Sequence, residues 1–196
     1  FLTRPLLRTF HPEKLILNDI CHEMSTCFAD LLSDRQGTFI PGDAEQLSFP
    51  SGQDLIVSCS ALQWFVSPEQ FFKRCNALLS GHGYFAFSTF GKENLKEIAA
   101  VTGSGLHYYS LEELKKSLSM HYNIVTAGEE RIRLTFATPL DVLYHLKHTG
   151  VTAVCRQAWT KGDLQEFCDK YAKLFSCGNA VTLTYHPLYI IARKKP

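Results

Sequence analysis

The 196-residue chain has almost no net charge, no long apolar run and no signal-peptide pattern at its start. A formal net charge of +1 provides no field to attract nucleic acid or an acidic membrane surface. No apolar stretch approaches the roughly 20 residues that span a bilayer, and the residues from Phe1 to Pro5 lack the apolar core and cleavage site of a secretory leader. These absences predict a cytoplasmic protein whose partners include neither nucleic acid nor a membrane.

Common metal-binding and catalytic motifs are also missing. The chain has seven cysteines, but no CxxC pair and no Cys/His cluster at zinc-finger spacing. An odd number of scattered cysteines is typical of reduced thiols in a cytosol, so we expect them to fill the core and expect no metal site. The absence of a GxSxG elbow and of an HExxH helix argues against hydrolases and metalloproteases. The cysteines are Cys21, Cys27, Cys59, Cys75, Cys155, Cys168 and Cys177.

The first half of the chain alternates strands with helices. Apolar residues make up 45% and charged residues 20%, as in ordinary globular domains, and no linker interrupts the sequence, which predicts one domain over 1–196. The alternation indicates parallel strands joined by crossover helices. The predicted strands are Lys14–Asp19, Thr38–Ile40, Asp54–Ser58 and Tyr84–Thr89, and the predicted helices are Leu2–Thr9, Glu23–Leu32 and a helix starting at Pro68.

The second half has a different order of elements. Two long strands are predicted late in the chain, over Asn123–Phe136 and Ala180–Ala192, and we expect them to pair as an antiparallel edge. The predicted fold is therefore α/β and doubly wound, a mostly parallel sheet with an antiparallel C-terminal edge. Residues 1–91 form its cofactor-binding half, and residues 92–196 form the substrate-covering half with the closing strands. The predicted helices here are Glu93–Val101, Leu111–Leu118, Pro139–Lys147 and Lys161–Leu174.

Polar residues follow three predicted strands at their carboxyl ends, where open α/β sheets bind ligands. Asp19 closes the first strand, and its carboxylate can accept hydrogen bonds from both hydroxyls of a ribose. Asp43 follows the second strand, where a carboxylate can accept one from an adenine amino group. The segment from Ser58 to Trp64 follows the third. Their order favours a nucleoside site, although a helix cap at Asp19 and a turn residue at Asp43 are the simpler alternatives.

Successive motifs along the whole chain carry a family resemblance. Leu17–Ile20, Gly42–Leu47 and Asp54–Ser58 are similar to the general motifs of class I methyltransferases. The full set resembles, more narrowly, the malonyl-acyl-carrier-protein O-methyltransferases that open the pimeloyl branch of biotin synthesis. The narrower motifs are Ala61–Phe65, Phe85–Gly91, Gly105–Ser110, Leu146–Ala153 and Leu183–His186.

The resemblance implies a carboxyl O-methyltransferase that uses S-adenosylmethionine and acts on malonyl-acyl-carrier protein or malonyl-CoA. One departure from the family pattern is the glycine-rich loop after the family's first strand. This loop is absent from the sequence, because Phe1–Arg4 resembles the helix that directly follows it. We expect that strand and loop to precede Phe1. The implied cofactor-binding residues are Asp19, Ile20, Asp43, Ala44, Ser58 and Cys59.

The implied reaction needs a clamp for a carboxylate rather than a strong base. A malonyl carboxylate has an unperturbed pKa near ~4 and is ionised at neutral pH, so the protein's main task is to position the reactants. Tyr108 and Lys147 are predicted as the catalytic clamp. A structural role is the alternative for any histidine here, and Lys147 is equally suited to a helix C-terminus. The predicted substrate-binding residues are Gln63, Trp64, His107, His148, Tyr185 and His186.

An acidic carrier protein would require a basic surface on this chain. Two groups of cations are candidates, and an ordinary solvated surface is the alternative for both. The first group is Arg131 and Arg133 with Lys115 and Lys116, and the second is Arg193, Lys194 and Lys195.

Three other functions remain compatible with the sequence. A methyltransferase for another small acid or a quinone-like ring would share the fold, and a carbon-methylating version would need a base beside the acceptor. A methyltransferase-like assembly or binding factor would lack cofactor binding. A nicotinamide oxidoreductase would also carry its glycine loop before Phe1, but the Gly42–Glu45 segment and the antiparallel tail favour the methyltransferase.

Overall fold

The computed structural model describes residues 2–33, 36–151 and 159–196. Cys155 and the last two residues of the Leu146–Ala153 motif therefore lie outside the described residues. No helix in these three ranges is both long enough and apolar enough to cross a membrane. The helices are α1 (Thr3–Thr9), α2 (Met24–Cys27), α3 (Ala29–Ser33), α4 (Pro68–Leu78), α5 (Lys96–Thr102), α6 (Leu111–Leu118), α7 (Pro139–His148) and α8 (Lys161–Phe175). The strands are β1 (Lys14–Asp19), β2 (Gln36–Pro41), β3 (Gln53–Cys59), β4 (Leu79–Phe90), β5 (Tyr122–Glu129), β6 (Ile132–Phe136), β7 (Ser176–Cys177), β8 (Ala180–Tyr185) and β9 (Pro187–Lys194).

The early strands pair in parallel, as their alternation with helices predicts. β1 pairs with β2, and β3 pairs with β4. A four-stranded sheet has the order β3-β4-β9-β5, in which β9 runs antiparallel to both of its neighbours. Among the described residues, backbone hydrogen bonds do not join β1 and β2 to that sheet. The predicted antiparallel edge is thus formed by β9 and β5.

The prediction of two long late strands is wrong, because each of them bends and changes sheet. The first divides into β5 and β6 at Glu130 and Arg131, and the second divides into β8 and β9 at His186. The halves pair separately, β5 with β9 and β6 with β8. At the bend, the Glu130 N–H donates to the carbonyl of Pro187 at 3.1 Å. The polar residues Glu130, Arg131 and His186 form this corner, and the two sheets lie on either side of it.

Two predicted helices also differ from those observed, because in each of them one residue has a backbone conformation outside the right-handed helical region. The helix predicted over Glu23–Leu32 is interrupted at Phe28, whose φ of −116° and ψ of 7° lie outside the helical region. The helix predicted to begin at Glu93 begins at Lys96, because Leu95 before it has a left-handed φ of 52°. By contrast, α6 has the predicted bounds, and its start is fixed by a capping box between Ser110 and Glu113.

Two apolar clusters stabilise the fold. In the first, alternate residues of β4 and β9 face α4 and α6, with Phe85 and Leu188 fully buried. The second lies among α5, α7, α8 and β8, with Tyr171 and Leu183 fully buried. Side chains of this size contribute roughly 1.5–3 kcal/mol each on burial.

The expectation that the cysteines fill the core is correct for Cys75 and in part for Cys168, which is half-buried against the second cluster, but not for the other four described. Cys75 is buried in the first cluster, and this burial raises the pKa of its thiol to about 12. Cys27, Cys59 and Cys177 are exposed, and each is the last residue of its helix or strand. Cys21, just beyond the end of β1, is exposed as well.

Candidate functional site

The loops that follow β2 and β3 lie against each other. The carboxylate of Glu45, after β2, accepts hydrogen bonds from the backbone N–H groups of Val66 and Ser67, each at 2.8 Å. Arg74 of α4 donates to the carbonyl oxygens of Glu45 and Leu47. These contacts bring the carboxyl ends of the two strands to one side of the molecule, as the strand-end argument requires.

Asp19 lies at the end of β1 in a rigid setting. The Asn18 amide donates to the carbonyls of Ile40 and Gly42 at 2.8 and 2.9 Å, and the Gly42 N–H donates to the Asp19 carbonyl at 2.9 Å. Gly42 has φ +127°, a conformation for which glycine is preferred. One carboxylate oxygen of Asp19 accepts the N–H of Cys21 at 2.9 Å. The other has no hydrogen-bond partner in the described part of the chain and is available to a ligand.

Asp43 has the same arrangement at the end of β2. One carboxylate oxygen accepts the N–H of Glu45 at 2.8 Å, which is the turn role that its sequence position suggests. The side chain is exposed, and its other oxygen has no partner among the described residues. Ile20 is 77% exposed, whereas Ala44 packs against the first apolar cluster. Free carboxylate oxygens at two adjacent strand ends suit ribose hydroxyls and an adenine amino group, so the donor set fits a nucleoside cofactor.

The turn after β3 is strained and firmly held. Ser60 has a left-handed φ of 50°, and strain of this kind persists only where the surroundings fix it. Its N–H donates to the Ser88 carbonyl at 3.0 Å, and its own carbonyl accepts the Gln63 amide at 2.6 Å. The Gln63 amide oxygen in turn accepts the buried Thr89 hydroxyl at 3.2 Å. Ser58 is half-buried, and Cys59 accepts a weak hydrogen bond from Ser88 at 3.4 Å.

An open cavity of about 1190 Å³ adjoins this turn. Two of the predicted site residues, Trp64 and Tyr108, line it together with Asn94, and a smaller adjoining pocket is lined by Gln63, His107 and Tyr108. The apolar walls of the larger cavity come from α5, α8 and the loop between α5 and α6. Three lysines of the described residues also border the large cavity: Lys92, Lys96 and Lys170.

Tyr108 is the predicted clamp residue that the structure places in the cavity. Its hydroxyl oxygen accepts a hydrogen bond from the Asn94 amide at 3.0 Å. Burial raises the pKa of Tyr108 above its ordinary value, so the phenol keeps its proton at neutral pH and is a hydrogen-bond donor rather than a base. The neighbouring His107 is exposed and packs edge-on against Tyr109, with ring centroids 4.9 Å apart.

Lys147 and His148 do not join Tyr108. Both are exposed in the last turn of α7 and line neither of the two cavities. A cation is favourable at that end of a helix, as the structural alternative for Lys147 suggests. Tyr185 lies between α7 and the end of β4. Its hydroxyl hydrogen-bonds the Nε2 of His145 in α7 at 3.0 Å, and its ring centroid lies 6.1 Å from that of Phe90 in β4.

His186 lies beside the site, in contact with Asn94, but lines neither of the two cavities. It is 3% exposed, and both of its ring nitrogens are engaged. Nδ1 accepts the backbone N–H of Glu93 at 3.1 Å, so Nε2 carries the proton and donates to the carboxylate of Glu129 at 3.1 Å. These bonds hold a salt-bridged group, in which Arg131 pairs with both Glu93 and Glu129. Hydrogen bonds from Arg131 and Lys96 lower the pKa of Glu93 to about 2.

Most of the cations predicted to meet a carrier protein have partners within the chain. Arg131 is paired as described above, Lys115 pairs with Glu112, and Arg193 bonds His82. Lys194 and Lys195 donate to backbone carbonyls. Arg133 and Lys116 have no hydrogen-bond or ion-pair partner in the described part of the chain. Of the whole set, only Arg131 and Lys115 are paired with carboxylates, so both groups stay predictions as a surface for a carrier protein.

Sequence reasoning did not find Asn94, Glu45, Arg74 or Thr89 as part of the site. Glu45 lies within the Gly42–Leu47 motif, which was one available signal. Nothing in the local sequence of Asn94 indicates a role, because its partners His186 and Tyr108 lie 92 and 14 residues away.

The chain is similar in sequence and in fold to known methyltransferases. A family model described as a methyltransferase domain matches residues 1–87. The malonyl-[acyl-carrier protein] O-methyltransferase of Bacteroides thetaiotaomicron is 56% identical, over 98% of this chain and 78% of its own length. A candidate methyltransferase from Bacillus halodurans has a similar structure, with TM-score 0.65 and 16% identity over 93% of this chain and 84% of that one.

A second solved structure was determined with a ligand bound. The N-methyltransferase NodS of Bradyrhizobium japonicum, in complex with S-adenosyl-L-homocysteine, has TM-score 0.52 and 13% identity over 95% of this chain and 69% of that one. The two structural neighbours confirm the predicted α/β fold with its antiparallel closing strands.

Proposed function

The chain belongs to the malonyl-[acyl-carrier protein] O-methyltransferase family, and on that premise we propose that it methylates the free carboxylate of a malonyl thioester carried on acyl-carrier protein. The methyl donor would be S-adenosylmethionine, and the reaction would stand early in the pimeloyl branch of biotin synthesis. The structural observation that supports this most is the pair of carboxylates that follow β1 and β2, each with one oxygen that has no hydrogen-bond partner among the described residues. A cytoplasmic location stays a prediction.

The cofactor would be held by the strand ends. Asp19 would accept hydrogen bonds from the ribose hydroxyls, and Asp43 would accept one from the adenine amino group. Ile20 and Ala44 would supply apolar surface beside the base. When bound, S-adenosylmethionine supplies an electrophilic methyl group, and Ser58 and Cys59 lie at the end of β3, where the reacting end of the cofactor is expected.

The substrate residues would position the carboxylate rather than remove a proton. The malonyl carboxylate is ionised already, so a base is unnecessary, and the protonated phenol of Tyr108 is suited to donating a hydrogen bond to it. Gln63 and Trp64 would shape the pocket beside the methyl group. Lys147, His107, His148 and Tyr185 stay predictions as substrate residues, while the buried ring of His186 is suited to an indirect role.

The test is methylation of defined thioesters by the intact protein. We expect S-adenosylmethionine with malonyl-acyl-carrier protein to give a carrier heavier by one methyl group, while acetyl- and succinyl-carrier proteins stay unchanged. Malonyl-CoA in parallel decides whether the carrier is required. Cofactor binding without any methyl gain would contradict the substrate, and no binding of S-adenosylmethionine would favour an assembly factor with this fold.

A further inference from the structure

The turn that joins β4 to α5 is fixed by three backbone N–H groups, which donate to residues of the corner between β8 and β9. The Gly91 N–H donates to the His186 carbonyl at 2.7 Å, and the Leu95 N–H donates to the Thr184 carbonyl at 2.8 Å. The Glu93 N–H donates to the His186 ring at 3.1 Å. Leu95 has a left-handed φ of 52°. This turn, residues 91–95, is thus fixed in a strained conformation by the corner between β8 and β9.

Asn94 in this turn has only one possible orientation of its amide. The backbone N–H of His186 donates to the Asn94 side chain at 3.2 Å, and because an N–H can only donate, that side-chain atom must be the oxygen Oδ1. The amide nitrogen Nδ2 is therefore the atom that faces the Tyr108 hydroxyl at 3.0 Å. Asn94 is 5% exposed, so water does not offer the amide an alternative arrangement.

The direction of these hydrogen bonds determines what Tyr108 can do. Nδ2 of Asn94 has no lone pair to accept with, so the Tyr108 oxygen accepts from it and the phenolic proton is not used there. Tyr108 makes no other side-chain hydrogen bond in the described part of the chain. Its proton is left to donate to an acceptor in the cavity that Asn94 and Tyr108 both line.

We propose that Asn94, fixed by the backbone of His186, is a positioning residue that orients the Tyr108 hydroxyl as a dedicated donor to the substrate carboxylate. The inference deepens the proposed function and rests on it for the identity of the anion. The buried corner at His186 would then contribute to substrate selection, because its backbone fixes the amide of Asn94. An acceptor in the place of Nδ2 would draw the phenolic proton away from the cavity.

Asn94→Asp tests this directly, because it changes one nitrogen to oxygen at nearly constant volume. One oxygen still accepts from the His186 N–H, while the other accepts the Tyr108 proton. We expect KM for malonyl-acyl-carrier protein to rise roughly 10- to 100-fold, the range for one hydrogen bond to a charged group. The dissociation constant of S-adenosylmethionine should be unchanged, and kcat should change less than KM. Direct binding of malonyl-pantetheine gives the same comparison without turnover.

A double-mutant cycle separates orientation of Tyr108 from other effects of the new charge. In a Tyr108→Phe background, which has no phenolic proton to redirect, Asn94→Asp should add little to KM. An equal rise of KM in both backgrounds would overturn the proposal. Asn76→Asp is the matched control, because the Asn76 amide donates to the His121 carbonyl at 3.0 Å outside the cavity, and we expect it to leave KM unchanged.

Thermal unfolding and the wild-type assay distinguish the remaining outcomes. A lowered melting temperature for Asn94→Asp with an unchanged KM would mean that Asn94 is only structural, which contradicts the proposal. If the wild-type protein methylates no malonyl thioester, the proposed function has failed instead. In that case the malonyl-pantetheine binding arm still reports whether Asn94 controls the donor.

Discussion

Replacing Asp19 by asparagine is expected to weaken binding of S-adenosylmethionine by roughly 100-fold or more, the loss of two hydrogen bonds to a charged acceptor. The asparagine oxygen can keep the bond from the Cys21 N–H that Asp19 makes at 2.9 Å. The free carboxylate oxygen, however, becomes an NH₂ group, which cannot accept from the ribose hydroxyls. Isothermal titration of S-adenosylmethionine or its demethylated product into the intact protein measures the change.

Asp54→Asn is the matched control for that experiment. Asp54 lies near the start of β3, at the opposite end of the strand from the site, where its carboxylate accepts the Ser80 hydroxyl at 3.1 Å. We expect the Asp54→Asn variant to bind S-adenosylmethionine with the affinity of the wild-type protein. Unchanged affinity for Asp19→Asn in a folded protein would remove Asp19 from the cofactor site and leave it with the turn contact alone.

Replacing Gly91 by alanine is expected to disrupt the corner on which Tyr108 depends. A Cβ at Gly91 would lie 2.6 and 2.7 Å from the Cε1 and Nδ1 atoms of His186. The ring cannot simply swing aside, because Glu93 and Glu129 engage its two nitrogens. Overpacking of this kind costs about 1–3 kcal/mol, which corresponds to a melting temperature roughly 2–12 °C lower in a protein of this size.

Activity should fall further than stability alone explains, because displacement of His186 also displaces the amide of Asn94. Thermal unfolding and kcat/KM for malonyl-acyl-carrier protein measure the two effects at a temperature where the variant is folded. Gly81→Ala serves as the control, since a Cβ there has no atom within 4 Å. Wild-type stability and activity for Gly91→Ala would show that the contact between the turn and His186 is easily relaxed.

The local pattern of the sequence was sufficient where elements follow local rules. α6 has the predicted bounds because Ser110 and Glu113 cap it and its apolar residues repeat at helical spacing. β1 and β3 are close to prediction because short apolar runs bounded by polar and turn residues are recognisable in the sequence. Neither strand has a fully buried residue among those described, although a nearly continuous apolar run suggests a strand covered on both faces. The late strands were predicted too long because strand-like residues resume directly after Glu130 and Arg131 in the first and after His186 in the second. Only the long-range pairing shows that the chain changes sheet at these points.

The site was predictable in part for the same reason. Asp19, Asp43 and Tyr108 follow from strand order and from motifs, and the structure places each at a strand end or in the cavity. The role of His186 could not be read from the sequence, since its ring partner Glu129 is 57 residues away. Lys147 matched a family motif, yet the structure keeps it on the last turn of α7, so its part in the clamp stays a prediction.

The most direct test of the central claim is the position of the transferred methyl group. The intact protein would be given S-adenosylmethionine labelled with carbon-13 in its methyl group, together with malonyl-acyl-carrier protein, and the product examined by NMR. We predict that the labelled methyl carbon is bonded to oxygen. It should show a long-range correlation, through that oxygen, to the terminal carboxyl carbon of the malonyl group, the one outside the thioester. A methyl carbon bonded to the central malonyl carbon would contradict the account, because it requires a base that Tyr108, a protonated donor, does not provide.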